Sequence, residues 1–515
     1  MSKTNPIIKA DFPDPDVIRV GDTYYMLSTT MHFKPGAIIL RSYDMVQWEI
    51  VCHVFDVIEK TPQECLQGER CNYGRSMWTG CLRYANEKFY VCFSVQELDK
   101  TFVYCADQIE GPWKKYELEG YKHHPSLLFD DDGKVYLIYG FKEIFIQEML
   151  PDASGYAKNG FSRKLLEETK EEVYLGYEGA RMQKIFGKYY LFAMYWPMSQ
   201  PARRTHLCFV SETLDGEFKG GEVLRDDMDF YNQGIAQGGL VEALNGKWYG
   251  VLYQWRGAMG RMPVLVPVTW QGDMPVFGRN GKAPEEIEVA SSRPYYKYAP
   301  LYTSDDFVYP VEEGPHPKLK VQWEWNHCPN ERYWKVNEGG GLLLTSSKLC
   351  TNVTHALNML TQRTMWPGCA AEVTVDASEL EDGDVAGLCV LQGCYGYVGI
   401  TRELGSLYLI VVDRRLEETK QNDRAADYLP GNLREKIKLT QDVVRLRINV
   451  ESDGAEDVAE FFFQNKSRWK RVGDAHRLFF RLDHCMGCRF GLFMYSTEKT
   501  GGQALFQNFR YFYEE

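Results

Sequence analysis

One short pattern recurs five times in the first half of this chain, and any fold must place all five copies equivalently. The copies are GDTYYMLST (21–29), NEKFYVCFS (86–94), DGKVYLIYG (132–140), FGKYYLFAM (186–194) and NGKWYGVLY (245–253). Each is a turn followed by strand residues with a tyrosine at a fixed place: Tyr25, Tyr90, Tyr136, Tyr190 and Tyr249, spaced by 65, 46, 54 and 59 residues. Asp-Gly and Asn-Gly tolerate positive φ and favour a tight turn between antiparallel strands. Units of this length hold four short strands with loops, and no stretch between them keeps a helical period. Five such units in series predict a five-bladed β-propeller over residues 1–297, since a sandwich would not need five self-similar hairpins.

The repeat also supplies a register. About twelve residues before each aligned tyrosine lies an equivalent position on the innermost strand: Asp14 (eleven before), Trp78, His124, Glu178 and Gln237. Innermost strands of a propeller run beside the central axis, so these five side chains are expected to face one pocket. Two carboxylates, an imidazole, an indole and an amide are a poor lining for a purely structural axis. Each carboxylate alone would more often cap a turn or pair with Arg.

From Thr303 to Glu515 the five-fold pattern stops. Segments such as AAEVTVDAS (370–378), SLYLIVVDRR (406–415), VVRLRINVES (443–452) and CRFGLFMYST (488–497) read as strands between Gly, Asp and Asn turns. They predict a second all-β domain over 303–515, a β-sandwich of concanavalin or jelly-roll type, with 280–300 as the connection. The whole chain is therefore expected to be all-β.

A net charge of -12 argues against nucleic acid or an anionic membrane as partner. No apolar run approaches the ~18 residues of a spanning helix, and the start MSKTNPIIKADF lacks a signal-like apolar stretch. A cytoplasmic protein is expected; whether it forms a homo-oligomer is left open. The fourteen cysteines are dispersed from Cys52 to Cys488 and read as buried free thiols, including the pair Cys485 and Cys488 behind His484.

An Asp and a Glu across a pocket are the minimum apparatus for glycoside hydrolysis. One activates water while the other protonates the leaving oxygen. Trp and Tyr rings suit the C–H faces of sugars. Other chemistries fare worse, because no phosphate loop, HExxH or GxSxG motif is present. His123 and His124 could be a metal pair, but neighbours on a strand point to opposite faces, so no metal site is expected there. The run Asp130-Asp131-Asp132-Gly133 reads as a hairpin turn rather than a calcium loop. EETKEE (167–172) reads as a solvated acidic loop.

NPIIKADFPDPDVIRVGDTYYMLSTT, MHFKPGAIILRSYDMVQW, EGARMQKIFGKYYLF, AQGGLVEALNGKWYGVLYQWRGAMGRMPVLVPVTW and VQWEWNHCPNERYW resemble the family 43 glycoside hydrolases. The likeness is to the β-xylosidase and α-L-arabinofuranosidase branch with a C-terminal β-sandwich, and covers essentially the whole chain. The resemblance implies an exo-acting, inverting hydrolase that removes single pentoses from xylo-oligosaccharides or arabinoxylan fragments. Asp14 would be the general base and Glu178 the general acid, with their carboxyls roughly 6.5–9.5 Å apart. By similarity Phe33, Trp78 and Arg261 would shape the subsite for the non-reducing sugar, with Arg261 binding hydroxyls near the acid. His123 and Gln237 join the sugar-binding set. The sandwich would buttress one side of the pocket.

Three positions depart from the family pattern. His124 stands where an Asp usually orients the acid and tunes its pKa; it could still orient Glu178 through a hydrogen bond. An imidazolium there would lower the acid's pKa. Ala236 stands where relatives often carry a His that serves an axial calcium, so neither cofactor nor metal is expected. Trp78-Thr79-Gly80 replaces a common Trp-Ala-Pro. These changes keep a second reading in play: a catalytically impaired propeller that binds sugar without cleaving it.

Overall fold

The computed structural model describes residues 3–168, 172–418, 427–453 and 456–514. The acidic run 167–172 lies partly outside these described residues. Among the described residues the elements are strands, with only short 3-10 turns as helical structure. No helix among them is long and apolar enough to cross a membrane.

Each hairpin copy nucleates one antiparallel sheet of four strands in simple sequence order. Blade 1 begins with Asp16–Val20, blade 2 with Met77–Ala85, blade 3 with Ser126–Phe129, blade 4 with Val173–Ile185 and blade 5 with Ala236–Glu242. The tight turns follow the sequence. Asn86 and Glu87 both have positive φ (49° and 61°), as do Phe186 and Gly187 (51° and 77°), the geometry that matches strand twist in two-residue hairpins. Asp130 to Lys134 form the longer turn of blade 3, where the Asp130 amide donates to the Lys134 carbonyl and Lys184 pairs with Asp130 at 2.6 Å.

The innermost strands touch in the order 1-2-3-4-5 and then 1 again, closing the ring. Between blades lie apolar seams. Leu128, Ile138 and Ile146 of blade 3, for example, pack on Tyr177, Met182 and Leu191 of blade 4. The N-terminal segment ties the ring shut. Lys3–Thr4 pairs with Glu286–Ile287, and the Asn5 carboxamide exchanges hydrogen bonds with the backbone of Leu265.

The C-terminal part is a sandwich of an eight-stranded and a seven-stranded sheet. One edge strand of the larger sheet is Phe33–Lys34, lent by a loop of blade 1 and paired with Trp325 and Asn326. One apolar core runs through both parts, from Phe12 and Met259 to Leu360 and Cys488. Charges cross the same seam. Glu324, fully buried, binds Arg363 (3.0 Å), Arg489 (2.5 Å) and His53 of blade 1 (3.0 Å). Lys34 pairs with Glu64 at 3.0 Å, both 1% exposed. Eleven of the fourteen cysteines are buried, Cys485 and Cys488 included.

Candidate active site

The axial residues project into the pocket because the inner strand is irregular at that point in every blade. Asp14 (φ 55°), His124 (φ 47°) and Gln237 (φ 58°) take left-handed backbone conformations. Asp14 and His124 lie just before their strands begin. In blades 2, 4 and 5 the pairing with the second strand shifts register around Trp78, Glu178 and Gln237. A bulge of this kind re-aims a side chain out of the pleat, and strained backbone gathers where a site needs it. Gly179 supports the arrangement. At φ +67°, a Cβ there would lie 2.7 Å from the Gln237 side chain.

Asp14 is 3% exposed. Its Oδ1 accepts from Gln237 Nε2 (3.1 Å), and Arg261 Nη1 approaches Oδ1 and Oδ2 at 3.3 and 3.4 Å. Gln237 is held in turn by the Tyr253 hydroxyl at 3.2 Å and reaches Thr79 Oγ1 at 3.5 Å, the outer limit of a hydrogen bond. Burial opposes the charge on Arg261, but Asp14 and neighbouring groups outweigh it and raise its pKa. Arg261 thus contacts the base directly. Its Nη2 donates to the Cys485 carbonyl at 3.0 Å, so the sandwich closes this side of the pocket.

Glu178 contacts a different imidazole from the one expected. His123 Nε2 lies 3.2 Å from Glu178 Oε2, and His123 Nδ1 lies 3.1 Å from the Tyr121 hydroxyl. His124 has neither ring nitrogen in a hydrogen bond, so it does not orient the acid. Burial pushes its pKa well below 6.5, with His123, Arg181 and Arg261 adding to the effect. His124 is thus neutral, and no imidazolium acts there. The opposite-face argument fails as well. The left-handed turn at His124 breaks strand alternation, and the two rings stack with centroids 3.9 Å apart.

Trp78 is half-buried beside both histidines, with ring centroids at 6.0 and 5.8 Å, and its indole N–H donates to Gly74. Phe33 needs correction. It is fully buried, with the Arg489 guanidinium 3.5 Å over its ring and His32 at 4.2 Å, which leaves no ring face for a sugar. It belongs to the wall between the two parts.

Several site residues lie outside the repeat slot. Arg204 sits between Trp196 (4.5 Å) and Trp255 (4.1 Å), and Glu178 and Tyr253 contribute to its electrostatic environment. Trp255 touches Phe480 of the sandwich at 4.4 Å. Asp11 accepts from the backbone of both Arg261 and Gly487. Deeper in the axis, Asp16 binds Arg83 at 2.7 Å and faces Arg181 at 3.7 Å. Tyr253 closes the fifth hairpin copy, which was a usable signal; Arg204 had none. A cavity of about 1110 Å³ opens elsewhere, between His53 and Asp56 of blade 1 and Lys318, Trp323 and Lys348 of the sandwich. It is lined by none of the five axial residues.

Two carboxylates with separate partners, in the axial pocket of a five-bladed propeller closed by a sandwich, are the apparatus of a glycoside hydrolase. Comparison with known proteins gives the family. Residues 3–275 match glycosyl hydrolases family 43 and residues 315–512 match the beta xylosidase C-terminal Concanavalin A-like domain, so the chain belongs to glycosyl hydrolases family 43. It is 28% identical to a beta-xylosidase of Formosa agariphila, over 99% of this chain and 90% of that one. It is 25% identical to the non-reducing end alpha-L-arabinofuranosidase BoGH43B of Bacteroides ovatus, over 66% of this chain and 64% of the other. Among solved structures, a bifunctional GH43-CE protein of Bacteroides eggerthii is 37% identical with a TM-score of 0.90. The match covers 99% of this chain but only 64% of that protein.

Proposed function

We propose that the protein is an exo-acting, inverting hydrolase that releases xylose, arabinofuranose or both from xylo-oligosaccharides or arabinoxylan fragments. The observation that carries this is the placement of Asp14 and Glu178 at equivalent points of blades 1 and 4, each held by its own partners. Asp14, ion-paired with Arg261, takes a proton from water as the water attacks the anomeric carbon. Glu178, beside His123 at the wetter side of the pocket, gives its proton to the departing oxygen. The relatives named for xylosidase and arabinofuranosidase activity support a pentose substrate. The sandwich residues Cys485 and Phe480, packed against Arg261 and Trp255, support a pocket that admits only a chain end.

Axial calcium is not part of this proposal. Ala236 has no side-chain ligand atom, and the Arg83 and Arg181 guanidiniums already face Asp16 in the axis.

A second reading, sugar binding without cleavage, draws on His124, because no carboxylate stands in its place beside the acid. Kinetics of two variants separate the readings. Glu178→Gln should lower kcat/KM on xylobiose by about 10²-fold or more, yet lose little on an aryl pentoside whose leaving group needs no proton. Asp14→Asn should lower both. Equal losses by Glu178→Gln on the two substrates would contradict the assignment of the acid.

A further inference from the structure

We propose that His123, His124 and Glu178 form a binding site for a borderline divalent transition-metal ion such as Zn²⁺, and that its occupancy switches off the enzyme. The second half rests on Glu178 acting as the general acid. One ligand atom from each of the three residues lies within 4.8 Å of the others. Zinc ligands at about 2.0–2.2 Å from the ion stand about 3.3 Å apart in a tetrahedron, and His123 Nε2 and Glu178 Oε2 are already 3.2 Å apart. Only His124 must swing inward.

That histidine is the second observation. It is 3% exposed and both its ring nitrogens lack a hydrogen-bond partner, a costly state for a buried polar group. Coordination would satisfy one of them. Tyr121 supplies a further element: its hydroxyl oxygen at 3.1 Å from His123 Nδ1 can accept from an Nδ1–H. That is the outer partner a metal-bound imidazole ordinarily has, and it turns the Nε2 lone pair toward the ion.

Two imidazoles and one carboxylate suit zinc, copper or nickel better than magnesium or calcium. Three protein ligands leave a fourth position for water or a sugar hydroxyl. On binding, Glu178 coordinates as the carboxylate and its proton goes to solvent. The coordinated oxygen then has no proton to give the leaving group.

Calorimetric titration of the full chain with Zn²⁺ alone tests the site. One ion should bind the wild type, with the affinity reduced at least tenfold in His124→Asn and in His123→Gln. Asn tolerates positive φ, so His124→Asn keeps the local backbone; His123→Gln changes a partly exposed position and is the safeguard if the first variant misfolds. Zinc should also slow pentoside hydrolysis, half-maximally at the concentration that half-fills the site, whereas Mg²⁺ gives neither heat nor inhibition. Absence of zinc binding, or equal binding by wild type and both variants at the cysteines, would overturn the proposal. A wild type that binds zinc through these residues but hydrolyses no pentoside would uphold the site while removing the catalytic reading.

Discussion

At the scale of single residues, buried histidines make stability depend on pH. His32, His327 and His484 cluster with Tyr73 where propeller meets sandwich, with ring centroids 4.5 to 5.4 Å apart for the contacts of His32. Burial lowers the pKa of all three, that of His484 from 6.5 to about 4. The unfolded chain therefore binds more protons than the folded one between these values. The stability is fully present above about pH 6.5 and is lost as pH falls toward 4. Glu324, held far below its ordinary value despite burial by Arg363, Arg489 and His53, loses its contribution only in stronger acid. The urea midpoint should fall steadily from pH 7 to about 4.5, and His484→Gln should flatten that slope. A constant midpoint would contradict the buried neutral cluster. Residue types and register were readable in the sequence, because the repeat fixes Asp14, Trp78, His124, Glu178 and Gln237 at equivalent places in the five blades. Side-chain direction was not. The left-handed turn at His124 reversed the His123–His124 argument, and a contact across 247 residues gave Arg261 to Asp14.

At the scale of elements, the hairpin is the legible unit. Turn chemistry and the aligned tyrosines are local properties, so five copies predicted five blades and the structure has them. The bulges that aim the axial residues are not local. They arise where an inner strand meets its neighbours around a closed ring, and no residue pattern announces them. Gly179→Ala tests their importance. Its φ of +67° and the 2.7 Å approach to Gln237 should cost about 1–2 kcal/mol, and moving Gln237 should disturb its bond to Asp14. Activity should fall about tenfold or more while the far-ultraviolet circular dichroism stays unchanged. Wild-type activity in this variant would mean that the bulge geometry is not needed.

At the scale of the whole molecule, the two parts fold as one. A strand of the propeller region completes a sandwich sheet, a single apolar core crosses the boundary, and Glu324 gathers polar partners from both sides. Sequence reading found the strands of the sandwich, and the resemblance gave it a buttressing role; its strand pairing was not legible, since both sheets join segments far apart in the chain. Glu324→Gln leaves Arg363 and Arg489 uncompensated and should destabilise the molecule by about 3–5 kcal/mol, visible as a lower denaturation midpoint. Deleting residues 303–515 should abolish soluble expression or activity. A soluble and active propeller alone would show the sandwich to be an independent module.

The most direct measurement is proton NMR of the purified enzyme with xylobiose and an arabinofuranosyl-substituted xylo-oligosaccharide, following the anomeric signals from the first minutes. Free pentose should appear first as the inverted anomer, before mutarotation, and the faster substrate names the preferred sugar. A first product of retained configuration would contradict the roles given to Asp14 and Glu178. An unchanged spectrum at high enzyme concentration would show that the pocket binds sugar without cleaving it.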